Sequence, residues 1–113
     1  MINGIITFLG TKDLQATNRF YQEILDLELI KDQKVCKIYS VTKDSSLGFC
    51  EHIEPTVKEK SPIITFLCSS VDKQYNKLRK RGIIIEELPK VNKKYNIYHF
   101  FIKDPNGYTL EFQ

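Results

Sequence analysis

The stretch Asp104-Pro105-Asn106-Gly107-Tyr108-Thr109-Leu110-Glu111 decides how this chain reads. Proline sets φ and the Asn-Gly pair tolerates positive φ, so 104–107 have a structural explanation as a tight turn. A β-type run, Ile97 to Ile102, precedes it and another, Tyr108 to Phe112, follows it. Further back, Ile83 to Leu88 reads as a strand. Gly82 reads as the C′ glycine of a helix whose buried line is Val71, Tyr75 and Leu78, with Ser69 or Ser70 as its N-cap. Pro62 to Cys68 is the strand that opens this half.

The earlier half follows the same plan. Ile2 to Leu9 is an apolar strand broken by Gly10-Thr11-Lys12, and Asp13 caps a helix with Leu14, Thr17, Phe20, Tyr21, Ile24 and Leu25 at helical spacing. Short β-type runs follow at Leu27 to Ile30, Val35 to Val41 and Leu47 to Cys50. The polar stretch Ile53 to Ser61, with Pro55, connects the halves. Thr7-Phe8-Leu9 recurs as Thr65-Phe66-Leu67, and Lys43-Asp44 before Leu47-Gly48-Phe49 is echoed by Lys103-Asp104 before Leu110-Glu111-Phe112. The expected organisation is one α+β domain over 1–113, built from two β-α-β-β-β modules at 1–52 and 62–113 with a linker at 53–61.

Bulk properties narrow the function classes. With 113 residues and 42% hydrophobic composition there is material for one core. No window approaches the roughly 20 apolar residues of a membrane span, and no basic-then-apolar leader opens the chain, so a soluble, cytoplasmic protein without a membrane partner is expected. The net charge is only +3, and its one basic cluster, Lys73, Lys77, Arg79, Lys80 and Arg81, reads as a solvated helix face rather than a nucleic-acid interface. Cys36, Cys50 and Cys68 are an odd, widely spaced set, for which reduced and mostly buried thiols are expected. Cys50, Glu51 and His52 are all zinc-binding residue types, but consecutive strand residues face opposite ways, which argues against a shared ion.

The paired modules, Phe20-Tyr21 followed by Ile24-Leu25 in the first helix, and the closing Asp104-Pro105-Asn106-Gly107 ahead of Leu110-Glu111-Phe112 resemble the vicinal-oxygen-chelate superfamily. That superfamily includes glyoxalases, bleomycin-resistance proteins and extradiol dioxygenases. Asp26 departs from its pattern, which commonly has glycine there. The resemblance implies modules that form a curved, partly closed mixed sheet around a cavity, with the helices outside. It also implies a homodimer, and up to four His, Gln or Glu metal ligands on the first and last strands of each half.

Transferred residue by residue, the ligand set fails. The first-strand positions fall on Ile6 and Ile63, or on Ile5 and Ile64 after a one-residue slip, and the last-strand positions on Gly48 and Glu111. One carboxylate among apolar neighbours does not hold a catalytic divalent ion, so no metal or other cofactor is expected. Glu111 remains the best candidate for a catalytic or ligand-binding group, with a pKa raised by burial unless a donor pairs with it. His99, otherwise readable as a hydrogen-bonded structural residue, and Tyr98 and Phe101, in a strand whose alternation sends half its aromatics to the core, are candidate cavity-lining residues for a flat ligand; Phe8, Tyr39 and Phe49 are further candidates, each equally readable as packing between sheet and helices.

The leading expectation is a metal-free protein that binds a small, partly aromatic molecule and acts by sequestration or sensing. The slightly basic chain argues against a cationic drug as ligand. The alternatives are a glyoxalase-like lyase or dioxygenase with Glu111, His99 and Glu51 as non-standard ligands, a metal-free isomerase with Glu111 as base, and a module with a filled cavity.

Overall fold

Each helix starts where a side chain can satisfy an exposed amide. Asp13 accepts a hydrogen bond from the Ala16 amide at 2.9 Å, and Ser70 accepts one from the Lys73 amide at 3.2 Å. Helix α1, Leu14–Asn18, continues into a wider π-helical stretch, Arg19–Ile24, and turns Leu14, Thr17, Phe20 and Tyr21 inward. Helix α2, Val71–Lys80, buries Val71, Tyr75 and Leu78 and ends where Gly82, at φ +90°, lets the Ile83 amide reach back to the Leu78 carbonyl. Lys73, Arg79, Lys80 and Arg81 stay in solvent.

The computed structural model describes all 113 residues, which form two compact units, Met1–Thr56 and Val57–Gln113. In the first, β1 (Ile5–Gly10), α1, β2 (Glu28–Asp32), β3 (Cys36–Thr42) and β4 (Ser45–Cys50) give a four-stranded sheet in the order β1-β4-β3-β2. In the second, β5 (Ile63–Phe66), α2, β6 (Lys90–Asn92), β7 (Ile97–Lys103) and β8 (Thr109–Phe112) give the order β5-β8-β7-β6. The first and last strands of each unit pair in parallel and the remaining pairs are antiparallel, so each unit is an α+β layer on a mixed sheet. Neither sheet closes into a barrel.

One expected strand is displaced. Ile83 to Leu88 is not a strand: Ile84 and Leu88 are exposed, and the segment pairs with no other strand. The fourth strand is instead the more polar Lys90–Asn92, paired to Ile97–His99. Three successive isoleucines have β propensity, but only a cross-strand partner makes a strand.

The repeat is also shifted from its most visible sequence echo. Gly48 pairs with Phe8 and Glu111 pairs with Thr65, so Phe8 is the counterpart of Thr65 and Ile6 that of Ile63. The caps Asp13 and Ser70 keep the same separation. Thr7-Phe8-Leu9 and Thr65-Phe66-Leu67 are therefore out of step by one residue. Because the side-chain period of a strand is two, the matching letters point to opposite faces.

Each unit has its own aromatic core. In the first, Tyr21 stacks on Phe49 with ring centroids 4.5 Å apart, and Tyr39 packs beside both. Tyr39 donates its hydroxyl to Asn18 at 2.7 Å, and burial pushes its pKa up to about 12. In the second, Phe100 stacks on Phe112 at 5.0 Å and meets Tyr75 edge-on at 5.4 Å, around the fully buried Leu78 and Leu110.

The closing turn is organised by Asp104. Its carboxylate accepts hydrogen bonds from the amides of Asn106 at 2.8 Å and Tyr108 at 2.9 Å, and Gly107 supplies the φ of +89°. This turn delivers β8, and with it Glu111, back along β7.

Candidate functional site

Alternation along β7 sends Phe100 into the core and His99 and Phe101 to the other face, where they meet Glu111 of β8 and Ile63 of β5. These four side chains line a cavity of about 660 Å³ within the second unit, with Leu88 and Tyr95 also in its wall. Lys60, Glu87 and Lys90 bring charge to it. The Lys60 ammonium lies 5.2 Å from the centre of the Phe101 ring, and Lys90 pairs with Glu87 at 2.5 Å. A pocket of this size, in which apolar and aromatic side chains alternate with charged and polar ones, has the usual dimensions of a small-molecule site.

Glu111 is the polar centre of that wall. It is only 8% exposed, yet the Nδ1 of His99 lies 2.5 Å from its Oε2, Thr65 donates to Oε1 at 2.7 Å, and Gln113 donates to Oε1 at 3.3 Å. Burial pushes the carboxyl upward, but the hydrogen bonds from His99 and Thr65, the charge of His99 and the bond from Gln113 together hold it below the ordinary carboxylate range. The donors that an isolated buried carboxylate would lack are all present. His99 also meets Phe101 edge-on, with centroids 4.9 Å apart, so ring and carboxylate are fixed together.

The other sequence-named positions lie elsewhere. Tyr39 and Phe49 sit in the core of the first unit, and Tyr98 turns to α2, where its hydroxyl donates to Asp72 at 2.5 Å. Phe8 lies across Gly48: a Cβ at Gly48 would stand 2.5 Å from two carbons of its ring. The place that Thr65 and Glu111 occupy in the second unit is thus filled in the first by a phenyl ring over a glycine. Reading outward from the Gly48–Glu111 equivalence, Ile38 corresponds to Phe101, Cys36 to His99 and Cys50 to Gln113.

The metal-ligand positions of the superfamily do not fit an ion here. Ile6, Ile63 and Gly48 offer no donor atom, and Glu111 and His99 are bonded to each other. Glu51 lies exposed in the turn after β4.

The expectation of three reduced thiols is corrected: Cys36 and Cys50 are joined as a disulfide and Cys68 is free. Spacing along the chain hid this pairing, because the β3–β4 register places the two residues directly opposite each other. His52 completes a group of potential metal ligands with them, and Glu51 does not belong to it.

A family model described as the glyoxalase/bleomycin resistance protein/dioxygenase superfamily matches residues 4–112. The chain belongs to that superfamily. Among solved structures, this superfamily member is similar to an antibiotic-binding protein from a Streptomyces species, at 19% identity and a TM-score of 0.83 over 100% of this chain and 95% of the other. It is similar to an integron cassette protein from the mobile metagenome of a Halifax Harbour sewage outfall, at 20% identity and a TM-score of 0.80 over 99% and 97%. It also resembles a lactoylglutathione lyase from Agrobacterium tumefaciens, at 19% identity and a TM-score of 0.76 over 96% and 90%. At these identities the likeness establishes the glyoxalase-like fold. No curated protein matches the chain. No helix is long and apolar enough to cross a membrane.

Proposed function

We propose that this protein binds a small, partly aromatic molecule in the cavity of its second unit without a metal ion, and acts by sequestering or sensing it. The observation that carries this reading is the buried Glu111 carboxylate, held by His99 and Thr65 in a wall that it shares with Ile63, Phe101 and Leu88 and with the charged Lys60, Glu87 and Lys90. Phe101 offers a stacking face, and Glu111 with Gln113 offers hydrogen-bonding partners for a hydroxyl or amine. A fold shared with an antibiotic-binding protein is in keeping with it. The same reading makes the protein a cytoplasmic homodimer, a pairing supported by the exposed Ile6 and Phe8 on one face of β1. A monomer mass by light scattering at micromolar concentration would remove the dimer.

The test is a thermal-shift screen of flat aromatic, thiol and drug-like compounds. A true ligand at 100 times its dissociation constant stabilises the protein by about 2.7 kcal/mol. The reading expects a compound whose effect shrinks in Phe101→Ala and in Glu111→Gln. No stabilisation by any compound would leave a module with no ligand.

The His99–Glu111 contact favours a second reading, a metal-free isomerase in which this pair moves a proton. In the neutral ring, with the proton on Nδ1 and facing the carboxylate, Nε2 is the nitrogen left to accept a proton from a substrate. Turnover of any stabilising compound, abolished by His99→Gln while binding persists, would select the enzyme over the binder.

A further inference from the structure

We propose that Cys36, Cys50 and His52 form a redox-gated binding site for a thiophilic cation, separate from the cavity of the second unit. Their ligand atoms, two sulfurs and the imidazole Nδ1, all lie within 4.8 Å of one another. Two thiolates and an imidazole are a soft donor set, suited to Zn²⁺ or Cu⁺ and unsuited to Mg²⁺ or Ca²⁺.

The backbone builds this arrangement. Cys36 and Cys50 are directly opposed on antiparallel β3 and β4, with Cα atoms 4.1 Å apart. The Cys50 carbonyl is held by the Thr11 amide at 3.0 Å, and the Cys36 carbonyl by the Gln33 amide at 2.8 Å. The chain then turns, fixed by the Glu51 amide on the Val35 carbonyl at 2.9 Å. That turn brings the His52 Nδ1 back to 3.9 Å from the Cys36 sulfur. A tetrahedral ion with bonds of about 2.0 to 2.3 Å spans ligand atoms roughly 3.5 to 3.8 Å apart, so Cys36 and His52 already have nearly the required separation. Both cysteines are buried and His52 is exposed, so an ion reaches the sulfurs from the solvent side of the imidazole.

The disulfide and the bound ion exclude each other, since a bonded sulfur pair presents no thiolate. Opening the site takes a thiol reductant: two low-molecular-weight thiols give two electrons and two protons to the Cys36–Cys50 bond and leave as their own disulfide. A divalent ion then displaces both thiol protons to solvent and is held by two thiolates and the imidazole. Its fourth position is left to water.

Anaerobic titration of the whole protein with Co²⁺, followed by displacement with Zn²⁺, tests the site. The reduced protein is expected to bind one equivalent, with thiolate-to-cobalt charge-transfer absorption and the d–d bands of a tetrahedral ion. The disulfide form is expected to bind none. His52→Ala, an exposed change that leaves the fold intact, should weaken binding about tenfold or more, and Cys36→Ser should abolish the charge-transfer band. Cys68→Ser and Glu111→Gln should change neither. Absence of the band in reduced wild-type protein, or its persistence in Cys36→Ser, would overturn the proposal.

Discussion

The Nδ1 of His99 lies 2.5 Å from the Oε2 of Glu111, across neighbouring strands and out of reach of most solvent. Because folding holds the Glu111 carboxyl below its ordinary value, the folded state favours the ionised form. The stability this contributes is complete above the unfolded-state pKa, about 4.3, and is lost as pH falls through the lower folded value. Replacing Glu111 by Gln is expected to cost about 1–3 kcal/mol near neutral pH. The gap between the wild type and this variant should narrow steadily below about pH 4. Melting temperature against pH for the two proteins checks it, and parallel curves down to acid would show that the contact does not depend on charge.

Asp104 is buried beneath the closing turn and accepts two backbone amides. Asp104→Ala leaves the Asn106 and Tyr108 amides without that acceptor and is expected to lower stability by about 2–4 kcal/mol in urea unfolding. Asp104→Asn keeps an acceptor oxygen and should lose less.

Gly48 is occupied space in all but name, since the Phe8 ring lies where its Cβ would go. Gly48→Ala is expected to destabilise by about 1–3 kcal/mol through overpacking. In a Phe8→Ala background the same change should cost less than half as much, a coupling that a double-mutant cycle reads directly. Equal costs in both backgrounds would mean that the ring is not the obstacle.

Much of the architecture was legible because local chemistry and global fold agree. The caps at Asp13 and Ser70, the Gly82 terminator and the alternating runs of β3, β4, β7 and β8 each read the same way alone and in place. Ile83 to Leu88 misled because propensity was visible and the missing partner strand was not. The Thr-Phe-Leu echo misled for a related reason: register is a property of two strands, and a one-residue slip reverses every face. His99, Phe101 and Glu111 were identifiable as strand residues near the closing turn. Their mutual contact was not, because it depends on the β7–β8 register. The same limit concealed the Cys36–Cys50 pair, and it left Tyr39 and Phe49 without an assignable face until the sheet placed them against Tyr21.

Calorimetric titration of the disulfide form with a stabilising aromatic compound, before and after exhaustive chelation, tests metal-free binding in the Glu111 cavity most directly. Equal dissociation constants in the two samples, both weakened in Glu111→Gln, are the predicted result. Affinity that disappears on chelation and returns with Zn²⁺ or Mn²⁺ would contradict it.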